Sequence, residues 1–226
     1  MELELPKEII KVTDSWCEQA NLKGIFYEKE LSNFDAKLQP NAYKFIKEYQ
    51  EGSFILLSPN TYGVGKTHLV SALIKRLLAE RTKAEVLEKR FPHIAKYSCP
   101  AMFITEPQLL ADIRNSYNKN SETSEEEVYN KLGRYKLLII DDVGKVRPHD
   151  YSFLQGVYFR IIDDRYTSEW DIGLTTNLDL VELEAHIGGA CADRLREMCG
   201  KNFIKMAGKS YRQLKGQSNV STNTKA

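Results

Sequence analysis

Residues 53–78 read Ser53-Phe-Ile-Leu-Leu57-Ser-Pro-Asn60-Thr-Tyr-Gly63-Val-Gly65-Lys66-Thr67-His68-Leu-Val-Ser-Ala-Leu-Ile-Lys-Arg-Leu-Leu78, and this stretch decides the fold. It opens on a short apolar run of strand length. It closes on Leu69, Val70, Leu73, Ile74, Leu77 and Leu78 at helical spacing, which predicts a helix from Lys66 to about Arg81 with a wide buried face. Between the two lies Gly63-Val-Gly-Lys-Thr67. Glycines there let backbone N–H groups wrap around phosphate oxygens with no Cβ in the way, and the helix N-terminus adds the positive end of its dipole. Lys66 is then expected on the β and γ phosphates of ATP, and Thr67 on Mg²⁺, a hard cation that prefers oxygen ligands. The candidate nucleotide segment is Asn60, Thr61, Tyr62, Gly63, Val64, Gly65, Lys66, Thr67 and His68. The full loop pattern asks for glycine where this chain has Asn60, and asparagine is the side chain that best tolerates left-handed backbone angles.

Downstream, apolar runs alternate with amphipathic stretches, the pattern of a parallel sheet with helices on both faces. The predicted fold class is α/β, a three-layer sandwich on a five-stranded parallel sheet. Its strands are Ser53–Leu57, Ala101–Thr105, Leu137–Asp141, Ile172–Thr176 and Phe203–Ala207, each nearly continuously apolar, as doubly buried strands should be. Helical stripes follow at Leu109, Leu110, Ile113 and Tyr117 after Pro107, and at Phe153, Leu154, Val157, Ile161 and Ile162. Asp179 and Glu182 form a capping-box pair that predicts one helix through Leu183, Ile187 and Leu195, ending near Met198 and Gly200. Residues 82–100 and 119–133 are polar; Ser124 with the glutamates at 125–127 suits a cap on a short helix or a solvated face.

Leu137-Leu-Ile-Ile-Asp141-Asp142 buries a strand and delivers two carboxylates at its C-terminal edge, where ligands sit in open α/β sheets. Asp141 is the expected partner of Mg²⁺, and Asp142 is expected to polarise or orient the attacking water. Adjacent strand residues point to opposite faces, so the two carboxylates should not share a role. Asn177, closing Thr175-Thr176-Asn177, offers an amide for the γ-phosphate or the water, or simply enters a turn. Arg194 reads either as an ion-paired residue neutralised by acids on its own helix or as an arginine finger reaching a neighbouring subunit's ATP. Arg212 reads either as facing the phosphates or as a surface residue.

Lys plus Arg number 32 against 31 Asp plus Glu in 226 residues, so the net charge of +1 provides no global pull toward nucleic acid or anionic membrane. Any DNA contact must be local, and Lys145 and Arg147 beyond the third strand are candidates for phosphate contacts or for solvated loop charge. Cys17, Cys99, Cys191 and Cys199 are widely spaced and fit no zinc pattern, which predicts buried thiols in a reducing cytoplasm. No signal peptide and no membrane-spanning run is legible, so no membrane partner is expected. The expected divisions are a short N-terminal segment (1–40), an ATPase domain (41–215) and a disordered tail (216–226). Leu5, Ile9, Ile10, Val12 and Trp16 form either a partner-binding helix face or a stripe packed on the chain's own domain.

Gly63-Val-Gly-Lys-Thr-His68, Leu138-Ile-Ile-Asp-Asp142, Arg165-Tyr166, Thr176-Asn177-Leu178, Asp193-Arg-Leu-Arg-Glu-Met198 and Ser210-Tyr-Arg212, in this order, resemble the DnaC/IstB group of AAA+ ATPases over about residues 50–215. The resemblance implies an AAA+ sheet without a helical lid domain, self-assembly with ATP at subunit junctions, and action on a replicative helicase or, as in IstB, a transposase. It also implies single-stranded DNA binding, Asn177 as the sensor-1 residue, Arg194 as the finger and Arg212 as a second arginine sensor. Three activities therefore compete: a helicase loader, a transposition ATPase, and a scaffold that binds ATP as a switch without turnover. A small-molecule kinase fits less well, because no substrate lid follows the sheet.

Overall fold

The computed structural model describes residues 14–87, 99–118, 120–147 and 151–211. Arg212, the tail at 216–226, and Leu5, Ile9, Ile10 and Val12 lie outside the described residues. The elements run α1 (Pro40–Glu48), β1 (Phe54–Leu57), α2 (Lys66–Leu87), β2 (Ala101–Thr105), α3 (Glu106–Ser116), α4 (Glu125–Leu132), β3 (Leu137–Val143), α5 (Tyr151–Thr167), β4 (Asp171–Thr176), α6 (Leu180–Ile187), α7 (Gly189–Cys199) and β5 (Phe203–Lys205).

All pairings in the sheet are parallel, in the order β2-β3-β4-β1-β5. Side-chain alternation sorts the strands into two cores. Phe54, Leu56, Ala101, Phe103, Leu137 and Ile139 pack on α1 and α2 together with Trp16. Ile55, Leu57, Met102, Ile104, Leu138, Ile140, Ile172 and Leu174 pack on α3 to α7. The result is the three-layer α/β sandwich that the apolar runs predict. Glycine 173 sits in β4 because a Cβ there would stand 2.6 Å from the Phe54 ring.

Several elements differ in extent from the sequence reading or decide between its alternatives. Helix α2 continues past Arg81 to Leu87. Strand β5 stops at Lys205 and is only partly buried, because it is a sheet edge with one neighbour. The polar stretch after residue 119 contains a complete helix, α4, started by a Ser124–Glu127 capping box and anchored by buried Val128, Tyr129 and Leu132. The single helix expected after Asp179 is two: the Asp179–Glu182 box starts α6, and Gly188 at φ +94° turns the chain before α7.

Trp16 is buried in the α1–α2 core, so that part of the N-terminal stripe packs on its own domain. The same segment covers the free edge of β2, where Phe103 N donates to Ala20 O at 2.9 Å and Asn21 Nδ2 donates to Phe103 O at 3.0 Å. Arg165 is a structural staple. Its guanidinium donates to the carbonyls of Leu132, Tyr135, Lys136 and Asp171, joining α5 to the starts of β3 and β4. All four cysteines are free and buried, and burial raises the Cys199 thiol to about 12. Among the described residues no helix is long and apolar enough to cross a membrane.

Candidate nucleotide and metal site

The strand order puts the C-terminal end of β1 beside that of β4, with β3 next in line, so three loops converge on one sheet edge. The loop after β1 takes the expected left-handed turns: Asn60 has φ +53°, Gly63 +72° and Gly65 +100°. Asn60 thus adopts the backbone that the missing glycine would supply, and its N–H donates to Asn177 O at 3.1 Å. Gly65 also permits a close approach, since a Cβ would lie 2.6 Å from the Phe34 ring; on the other side Ser210 crowds Gly63, and Tyr211 N donates to Gly63 O at 2.9 Å. Val64 is buried, Tyr62 is largely exposed, and His68 Nε2 lies 2.8 Å from Glu30 O with its ring edge-on to Phe34.

Lys66 opens α2 and is 5 % exposed. Its ammonium donates to Ser58 Oγ and to Asn177 Oδ1, both neutral acceptors. Burial pulls its pKa from 10.5 down to about 8, against the opposing pull of Asp142 and then Asp141. A buried cation hydrogen-bonded to neutral oxygens, at the N-terminus of a helix, is chemically suited to an anion.

Thr67 follows on the same helical turn. Its hydroxyl donates to Asp141 Oδ2 at 2.8 Å, while Thr175 Oγ1 donates to Asp141 Oδ1 at 2.6 Å. Alternation places Asp141 on the face of Leu137 and Ile139, which is the α2 face, and this is why it meets Thr67. Burial raises the Asp141 carboxyl to about 6, with the Thr175 bond pulling the other way. Thr67 and Asp141 supply hard oxygens at the lip of the glycine loop, a donor set that fits Mg²⁺.

Strand alternation does not set the direction of Asp142. The β3–β4 register shifts between Ile140 and Val143, and Asp142 sits in this bulge at φ +61°, with its N–H on Thr175 Oγ1 at 3.0 Å. Its carboxylate meets Lys145 Nζ at 2.9 Å, so Lys145 turns partly back onto the site edge, while Arg147 is exposed.

The structure therefore brings Asn60, Lys66, Thr67, Asp141, Asp142 and Asn177 to one edge. It places Arg194 on α7 against α5, with Nη2 2.8 Å from Asp163 Oδ1 and the guanidinium over Phe159 at 5.0 Å and Tyr166 at 5.8 Å. The acids that meet Arg194 and Arg196 are Asp163 of α5 and Glu184 of α6, not neighbours on α7 as expected. Sequence reasoning missed Ser58, Thr175, Phe34 and Ser210 as parts of this edge. A hydroxyl directly after an apolar strand was the available signal for Ser58, and the Ser210-Tyr-Arg212 motif was the signal for Ser210; Phe34 carries none, because its contact with Gly65 spans a long sequence separation.

No family model matches the chain. The replicative helicase loader DnaC of Escherichia coli (strain K12) is 26% identical over 155 residues, which cover 69% of this chain and 55% of that protein. The chain thus spans about half the length of the curated relatives it matches. Among solved structures, DnaI superposes with a TM-score of 0.58 at 21% identity over 85% of this chain and 98% of that one. The DnaC helicase loader superposes at 0.59 with 17% identity over 82% and 100%. AMPPCP-bound DnaA from Aquifex aeolicus superposes at 0.58 with 18% identity over 87% and 56%. These likenesses agree with the α/β sandwich and give the transposition reading no support. The chain is thus similar in sequence to replicative helicase loader DnaC and in fold to DnaI and DnaC.

Proposed function

We propose that this protein binds and hydrolyses ATP with Mg²⁺ and acts as a helicase loader in DNA replication. The observation that carries the nucleotide half is Lys66, a buried ammonium on neutral acceptors within a left-handed glycine loop, beside the Thr67–Asp141 oxygen pair. The loader half is supported by the sequence likeness to replicative helicase loaders.

Lys66 would exchange the oxygens of Ser58 and Asn177 for phosphate oxygens, and the α2 N–H groups would meet the same charge. Thr67 and Asp141 would hold Mg²⁺, which when bound neutralises charge on the phosphates. Asp142 orients the attacking water or accepts its proton, and Asn177, released from Lys66, holds the water or the γ-phosphate. Arg194 acts in trans on the ATP of a second copy; Arg212 we assign to the same phosphates from the chain's own side. Residues 41–215 are the ATPase unit, and the helicase contact lies within residues 1–40, where Ile25 is largely exposed. Single-stranded DNA is the proposed nucleic-acid partner, Arg147 a candidate phosphate contact, and the cytoplasm the proposed compartment.

The test is co-purification with a replicative helicase, with and without ATP, alongside ATP turnover with and without single-stranded DNA. An ATP-dependent complex and turnover lost in Asp142→Asn are expected. Turnover without any helicase complex removes the loader assignment; absence of ATP binding removes both.

A further inference from the structure

Glu106, the first residue of α3, is a fully buried carboxylate that the chemistry above does not use. A buried carboxylate is costly unless hydrogen bonds satisfy it, and here four donors do. Oε1 accepts from Tyr158 Oη at 2.8 Å and meets His186 Nε2 at 2.7 Å, from α5 and α6. Oε2 accepts from the backbone: Gly144 N at 3.0 Å and Val146 N at 3.1 Å. One oxygen is thus anchored in the core, and the other grips the turn that leaves β3.

That turn carries Asp142 and is strained. Asp142 has φ +61° and Gly144 φ +88°, two left-handed residues within three positions. Such backbone persists where its surroundings over-determine it. Glu106 supplies one wall. The other is β4, where Thr176 Oγ1 donates to Val143 O at 2.8 Å and accepts from Leu178 N at 3.0 Å, while Leu178 packs onto Gly144. The turn bearing Asp142 is therefore clamped between Glu106 and the segment bearing Asn177.

We propose that Glu106 is a positioning residue for ATP hydrolysis: its buried carboxylate fastens the 142–146 turn and so aims Asp142, without touching nucleotide. This rests on the assignment of Asp142 above. Glu106→Gln preserves the fastening, because the amide oxygen can take the place of Oε2 while the NH₂ faces the Tyr158 oxygen and the His186 ring, both able to accept. Glu106→Ala abolishes it.

The experiment measures turnover, equilibrium binding of a fluorescent ATP analogue, and amide hydrogen exchange across residues 142–147 in the full chain. Glu106→Ala should lower kcat about 10- to 100-fold, leave analogue Kd within about threefold, and speed exchange of the turn, whereas Glu106→Gln stays near the parent in all three. Parental kcat in Glu106→Ala, or equal losses in the two variants, overturns the proposal. Should Glu106→Ala fail to fold, Val146→Pro decides: it removes one amide donor and leaves the carboxylate and its core partners. Lowered kcat at unchanged Kd in Val146→Pro supports the clamp, and parental kcat overturns it. A parent without turnover removes the ATPase reading, an Asp142→Asn variant that turns over normally removes the Asp142 assignment, and either removes this proposal with it. Parental turnover in Glu106→Ala removes the clamp alone.

Discussion

The Lys66 ammonium is hydrogen-bonded to the side-chain oxygen of Asn177, which also accepts from Ser58 Oγ at 3.1 Å. On the proposed nucleotide reading, a phosphate arriving at Lys66 competes with that oxygen, which couples occupancy to the loop after β4. Asn177→Ala removes the competitor and the proposed water-orienting amide together. ATP affinity should hold or rise by up to about threefold while kcat falls at least about tenfold, a split visible when Kd and kcat are measured separately.

Lys66 gives a pH signature. Its pKa is about 8 in the fold against 10.5 ordinarily, so the unfolded chain binds more protons between these values and stability from this group rises with pH across that window. Below about 8 the burial cost is present in full. Lys66→Met should therefore stabilise the nucleotide-free protein by about 1–3 kcal/mol near neutral pH while abolishing ATP binding. Denaturant melts of both proteins at several pH values should show that advantage shrinking toward pH 10.5. An advantage that is constant with pH would contradict the assignment.

Arg165 lies in a motif that the family resemblance shares, yet its role here is stability. Replacing it with Met leaves the carbonyls of Leu132, Tyr135, Lys136 and Asp171 short of a donor and should cost about 3–5 kcal/mol. Arg165→Lys should recover only part, because one ammonium cannot reproduce a planar fork. Thermal melting checks both.

Arg194 is tied to Asp163 on the same chain, and its guanidinium lies over Phe159 and Tyr166, both of which are partly exposed. A finger acting in trans predicts that Arg194→Ala and Asp142→Asn are each inactive alone and regain turnover when mixed, since one subunit then supplies the arginine and its neighbour the aspartate. Turnover of mixed against separate variants decides this, and normal turnover of Arg194→Ala at every protein concentration would remove the finger.

The local chemistry was legible in the sequence. Strand length and helical spacing around Gly63–Thr67 are short-range patterns, and Asn60 adopts the left-handed turn that its side chain tolerates. The doubled carboxylate at the end of β3 was legible for the same reason. Only the tertiary structure decided the strand order, because pairing is a long-range choice that local periodicity does not encode. It also decided that Asp142 sits in a bulge, that Gly188 divides α6 from α7, that Arg194 pairs with α5, and that Phe34 and Ser210 close over the glycine loop. Glu106 marks the boundary between the two: its identity is plain in the chain, but its four donors come from the turn after β3, from α5 and from α6, which only folding brings together.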